Sequence, residues 1–148
     1  MAEMMKIENE ILIDAPVETV WDLLTNPEKT KLYMYGCEVV CDWKLGDEML
    51  WRGSTDDIIY VKGKLVDYEE GTQLAYTVID PNGDYPDIPE NYLTVTYHLE
   101  EQNDKTHLSV SQGDYSQVAG GEKRYNDSAQ AGGWQSVLEK IKEIAESE

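Results

Sequence analysis

The chain changes its hydrophobic period several times, and each change marks an element. From Lys6 to Ile13 apolar and polar residues alternate, with Ile7, Ile11 and Ile13 facing one way and Glu8 and Glu10 the other. This spacing predicts a strand with Asn9 as a polar interruption of its apolar face. Asp14 or Ala15 before Pro16 opens a helix whose stripe is Val17, Val20, Trp21 and Leu24. Thr25 and Asn26 end it, and Pro27 starts a second, short helix through Leu32.

A meander follows from Glu38. Val39, Cys41 and Trp43 share a face, Leu45-Gly46-Asp47 is a turn, and Met49 and Trp51 share the next inner face. Ile58 to Asp67 reads as a strand with Ile59, Val61, Gly63 and Leu65 inward; Gly63 there points to a bend or a close backbone approach. Glu69-Glu70-Gly71 is a turn, after which Leu74, Tyr76 and Val78 face in. The proline-rich run Asp80 to Glu90 is a loop. Asn91–Glu101 and Lys105–Gln112 form a hairpin around Gln102-Asn103, with Leu93, Val95, Tyr97 and Leu99 matched by Leu108 and Val110. A loop from Gly113 through Gly120-Gly121 leads to the final segment, Ala131 to Glu148. There Trp134, Val137, Leu138, Ile141, Ile144 and Ala145 fall on one helical stripe, the pattern of a helix laid on an apolar surface. The order is a strand, two short helices, about six strands and a long helix, an α+β arrangement read as one domain over residues 1–148. Strand one need not pair with strand two.

Composition narrows the functions. Phe is absent, but there are ten Tyr and four Trp, so aromatic bulk almost always carries a polar tip that needs a partner when buried. A formal net charge of −18 argues against nucleic acid and against anionic membrane surfaces. Cys37 and Cys41, on one face of an extended strand, lie about 13 Å apart at ~3.3 Å per residue, beyond disulfide reach. They read as small buried residues of a reducing compartment. With no basic leader and no membrane-length apolar run, the expected location is cytoplasmic.

Reactive constellations are sparse. A turn at Gln102-Asn103 sets Tyr97 opposite Leu108 and His98 opposite His107 on the outer face, but a third zinc ligand is missing. The run Asp80, Asn82, Asp84 lacks the glycine and glutamate positions of a calcium loop. There is no Gly-x-Ser-x-Gly elbow and no phosphate-cradling loop ending in Lys-Ser or Lys-Thr. No metal, cofactor or catalytic residue is expected. What remains is the inner face: Met49, Trp51, Tyr76, Val78, Leu93, Val95, Tyr97 and Trp134 are expected to meet between sheet and helix. Tyr33 and Tyr35 are placed to close the mouth. Apolar walls with a few polar handles are what small-molecule pockets use.

The motifs IDAPVETVWDLLTNPEK, LGDEMLW, VKGKLVDYEEGTQLAYTV, YLTVTYHLEEQNDKTHLSV and GGWQSVLEKI run through nearly the whole chain. Together they resemble the Bet v 1 and START-related superfamily, in its single-domain branch related to activators of the Hsp90 ATPase. The resemblance implies a helix-grip fold: a curved antiparallel sheet wrapped around a long C-terminal helix, with an apolar cavity between them. No motif of the two-domain co-chaperone's separate N-terminal domain is present. Three functions stay open. The first is non-catalytic binding of a small hydrophobic or amphipathic ligand, oriented by Tyr76 and Tyr97. The second is a protein-partner module of the Hsp90-activator kind using the acidic surface. The third is a cyclase- or hydratase-type enzyme using pocket tyrosines or carboxylates.

Overall fold

The computed structural model describes residues 6–34, 36–79, 88, 91–113, 115, 118, 121–130 and 132–147. Strand β1 (Ile7–Ile13) is followed by helices α1 (Val17–Thr25) and α2 (Pro27–Thr30). Strands β2 (Cys37–Val40), β3 (Glu48–Gly53), β4 (Ile59–Glu69), β5 (Gln73–Val78), β6 (Leu93–Gln102) and β7 (Lys105–Gly113) come next. Helices α3 (Gly121–Gln130) and α4 (Gln135–Ser147) close the chain. The strands form one curved antiparallel sheet in the order β1-β7-β6-β5-β4-β3-β2. Strand one and strand two therefore occupy opposite edges, and α1 and α2 carry the chain between them. This is the α+β helix-grip arrangement.

Local chemistry fixes the crossing. Asn26 caps α2 by accepting from the Glu28 N–H at 3.0 Å. The buried Thr30 hydroxyl donates to the Cys37 carbonyl at 3.2 Å and accepts from the Val39 N–H at 3.1 Å, tying α2 to β2. Helix α4 lies along β1. Leu138 and Ile141 are fully buried, the Lys142 ammonium donates to the Leu12 carbonyl at 3.0 Å, and the Asp14 N–H donates to Glu146 at 2.9 Å.

Several boundaries differ from the sequence reading. β2 stops at Val40, and Trp43 has φ 61°, a left-handed backbone that removes it from the strand face. The final helix begins at Gln135, so Trp134 stands in the turn before it, after Gly132 and Gly133 with positive φ. The segment read as loop after Gly120 contains α3. The hairpin turn is Asn103-Asp104, not Gln102-Asn103. Both residues have positive φ, as a tight two-residue hairpin turn requires, and Gln102 pairs with Lys105. The register moves by two. Tyr97 pairs with Val110, His98 with Ser109 and His107 with Glu100, so the expected facing histidine pair is not formed. The faces survive because the shift is even.

Two bulges also re-aim side chains. At Trp51/Arg52 the register break sets Ile59 opposite Arg52, off the inner face on which it was expected. Between Leu65 and Asp67 a second break brings Tyr68 opposite Leu74, so Tyr68 turns inward. The close approach inferred at Gly63 is real: a Cβ there would sit 1.6 Å from the Thr77 carbonyl oxygen. The Asp80–Glu90 loop, with its calcium-like spacing, lies outside the described residues apart from Ile88.

Candidate ligand site between sheet and helix

Each strand presents every second residue inward, and the inward aromatic residues of β3, β5 and β6 meet in a row. Trp51 and Tyr76 have ring centroids 5.9 Å apart, Tyr76 and Tyr97 6.4 Å, and Tyr97 and Trp134 5.9 Å with an edge-on contact. Met49, Trp51, Tyr76, Val95, Tyr97 and Tyr33 are all buried in one cluster that includes Leu138 and Ile141 of α4. Val78 and Trp134 are half-buried and bridge to a second cluster of Ile7, Leu93, Tyr115 and Val118. Leu93 thus belongs to the neighbouring cluster instead of the main one. Tyr35 lies outside the described residues.

Two residues that position the site carry no weight in the sequence reading. Asn9, the polar interruption of β1, accepts from the Trp134 N–H at 2.9 Å. Gln112 accepts from the Trp134 indole N–H at 3.0 Å. The available signal was a polar residue at an inward position on each of two strands. A polar side chain aimed at the apolar side needs a partner, and the Gly-Gly-Trp turn supplies it.

The electrostatics of the row is that of dry phenols. Burial pushes Tyr33 and Tyr76 well above the ordinary phenol range, and the neighbouring Tyr97 adds to both shifts. Burial likewise raises Tyr97, against a smaller opposing pull from the Tyr76 hydroxyl. The three remain neutral hydrogen-bond donors near pH 7 and are poor bases there. Tyr33 donates to the Leu23 carbonyl at 2.5 Å. The Tyr76 and Tyr97 hydroxyls are close enough to influence each other's proton affinity. The geometry of Tyr76 Oη nonetheless falls short of a hydrogen bond, and it is buried with no partner among the described residues. Cys37 and Cys41 are free, and burial raises both thiols, away from nucleophilic thiolate. Among the described residues no group of three or more His, Cys, Asp or Glu is arranged to hold a metal, and no helix is long and apolar enough to cross a membrane.

This sheet, crossing and inner aromatic row can be set beside known proteins. Residues 14–146 match the family described as activator of Hsp90 ATPase homolog 1-like protein. The chain belongs to that family. A Cytophaga hutchinsonii protein solved in solution is 32% identical, with 99% of this chain and 97% of that one covered at a TM-score of 0.75. An Hsp90 activator from Plasmodium falciparum shares the fold at 15% identity and a TM-score of 0.66, over 95% of each chain. The Aha1 dimer from Colwellia psychrerythraea does so at 15% identity and a TM-score of 0.71, over 97% of each chain. No curated protein matches the sequence.

Proposed function

We propose that this member of the Hsp90-activator-like family binds a small apolar or amphipathic molecule between the sheet and α4, without a chemical step. One observation carries the reading: the Tyr76 hydroxyl is buried and unpartnered in the middle of an aromatic row. Leaving such a group unpaired costs about 1–3 kcal/mol. A ligand acceptor beside it recovers that energy, and the apolar walls of Met49, Trp51, Val95 and Trp134 desolvate the rest of the molecule. Tyr97 is the second handle, Tyr33 flanks the entrance, and Val78 and Leu93 line the far end. Residues 1–148 act as one domain in this reading, and the two free thiols accord with a reducing, cytoplasmic setting.

Native mass spectrometry of the purified protein and of Tyr76→Phe tests it. The wild type should carry a co-purifying apolar compound that the variant holds more weakly. If both retain the same bound mass equally, or neither carries any, the hydroxyl is not a ligand handle.

A second reading has its own support: the family description and the Plasmodium Hsp90 activator of like fold, together with 30 acidic residues against 12 basic ones. Here the acidic surface docks a chaperone. Capture on immobilised Hsp90 that fades at high salt would favour it; no capture at low salt would dismiss it.

A further inference from the structure

Beside Tyr33 the surface opens into a pocket of about 300 Å³ between the turn after α2 and the first turns of α4. Leu32, Tyr33, Gly36 and Val137 give it mostly apolar walls, and Lys31 and Lys140 are the charged residues among its described lining. Leu32 is 51% exposed there.

Its charge departs from the rest of the protein. Acidic residues outnumber basic ones 30 to 12. A second pocket is lined by Glu8 and Glu10, and a third by Glu18, Asp22 and Glu70. The pocket at Tyr33 has two ammonium groups and no carboxylate among its described lining residues. Lys31 meets Glu28 at 3.1 Å and Lys140 meets Glu143 at 4.0 Å, both as exposed pairs three residues apart on their own segments. Such pairs contribute ~0–1 kcal/mol, so either lysine can exchange its partner for a better one. The overall negative charge repels anions, but at physiological salt that repulsion is screened beyond ~8 Å. Within that distance each lysine has one carboxylate, Glu28 or Glu143, for an incoming anion to displace.

Tyr33 lines this pocket, is only 6% exposed, and belongs to the same buried cluster as Tyr76 and Tyr97. A molecule bound here meets a cationic, wet end and an apolar, dry end of the pocket.

We propose that the ligand is an amphipathic anion, a chain-bearing carboxylate. Its headgroup sits between the Lys31 and Lys140 ammoniums, and its chain runs along Leu32 and Val137 past Tyr33 toward Tyr76. This rests on the interior-binding reading and adds to it the class of ligand and the direction of entry.

The experiment titrates ¹⁵N-labelled protein with decanoate, decan-1-ol and decyltrimethylammonium, following amide shifts to obtain Kd for each. Decanol tests the interior reading alone, because it has the chain without the charge. The expected result is decanoate binding at least about tenfold tighter than decanol, as a charge-assisted hydrogen bond provides, with the cation weakest. In Lys31→Glu/Lys140→Glu that advantage should vanish while decanol affinity is unchanged. Lys31→Gln/Lys140→Gln, which leaves less room for misfolding, should fall between. Equal binding of decanoate and decanol by the wild type overturns the carboxylate assignment and leaves the interior reading standing. A decanoate preference that survives both lysine variants overturns the location. No shift with any of the three overturns both readings.

Discussion

Two aromatic clusters built from the same residue types behave differently. The inner row, Trp51–Tyr76–Tyr97–Trp134, runs between sheet and α4, and both of its tyrosines are 2% exposed. The outer cluster packs Tyr68 edge-on against Trp21 at 5.4 Å and against Trp43 at 5.8 Å, beside α1. Its Tyr68 and Trp43 are only half-buried, and it lines a surface groove of about 590 Å³ with Glu18, Asp22 and Glu70. A tyrosine whose tip is wet contributes area and little else. A tyrosine whose tip is dry carries either a penalty or a handle. The difference between the clusters is the water around the hydroxyl.

The largest expected contrast is in stability. Trp51→Ala should cost about 3–5 kcal/mol, because it empties a buried position against Tyr76. Trp43→Ala should cost well under half of that. Trp43→Gly should cost less than the alanine variant despite removing one carbon more, because glycine relieves a φ of 61°. Urea unfolding of the three variants measures this, and equal losses at positions 51 and 43 would erase the distinction.

The next effect is alkaline. The folded-state phenols of Tyr33, Tyr76 and Tyr97 are all raised above their unfolded value near 10. Their contribution is complete below that pH and is lost as pH rises toward the folded values, because only the unfolded chain releases the protons. Each buried phenol should remove about 1.4 kcal/mol per pH unit above pH ~10. Tyr97→Phe should therefore flatten the alkaline fall in stability. A stability curve level to pH 12 would mean that water reaches the inner row.

The smallest effect has the most interesting sign. Without ligand, Tyr76→Phe should raise stability by ~1 kcal/mol, since it removes an unpaired buried hydroxyl. Tyr68→Phe should stay within about 0.5 kcal/mol of wild type. Thermal unfolding separates the two; a destabilised Tyr76→Phe would reveal a hydrogen bond in solution.

Most of the fold was legible because side-chain period is a local property. Alternation picked out the strands and their inner faces, and the α4 stripe of Val137, Leu138, Ile141 and Ala145 is buried as spaced. The hairpin turn was a missed local signal: Asn103-Asp104 tolerates positive φ better than Gln102-Asn103 does. The bulges were not legible, since one extra residue in a strand leaves no compositional mark. Nor was α3, whose polar sequence gives no apolar stripe to read. The inner site was legible as a set of residues, but the roles of Asn9 and Gln112 depend on a turn more than a hundred residues away from Asn9 in the chain.

The sequence by itself determined the kinds of element, which side of each faces inward, and that aromatic surface with polar tips must be buried, because those follow from spacing and side-chain chemistry. Tertiary structure alone decided which tip stays dry. It set Tyr76 beside Tyr97 through the pairing of β5 with β6, covered them with α4, and left the inward-turned Tyr68 half-buried at the rim, by the groove at α1. Desolvation is a property of everything packed around a group, and the residues that exclude water from Tyr76 Oη come from segments spread along the whole chain.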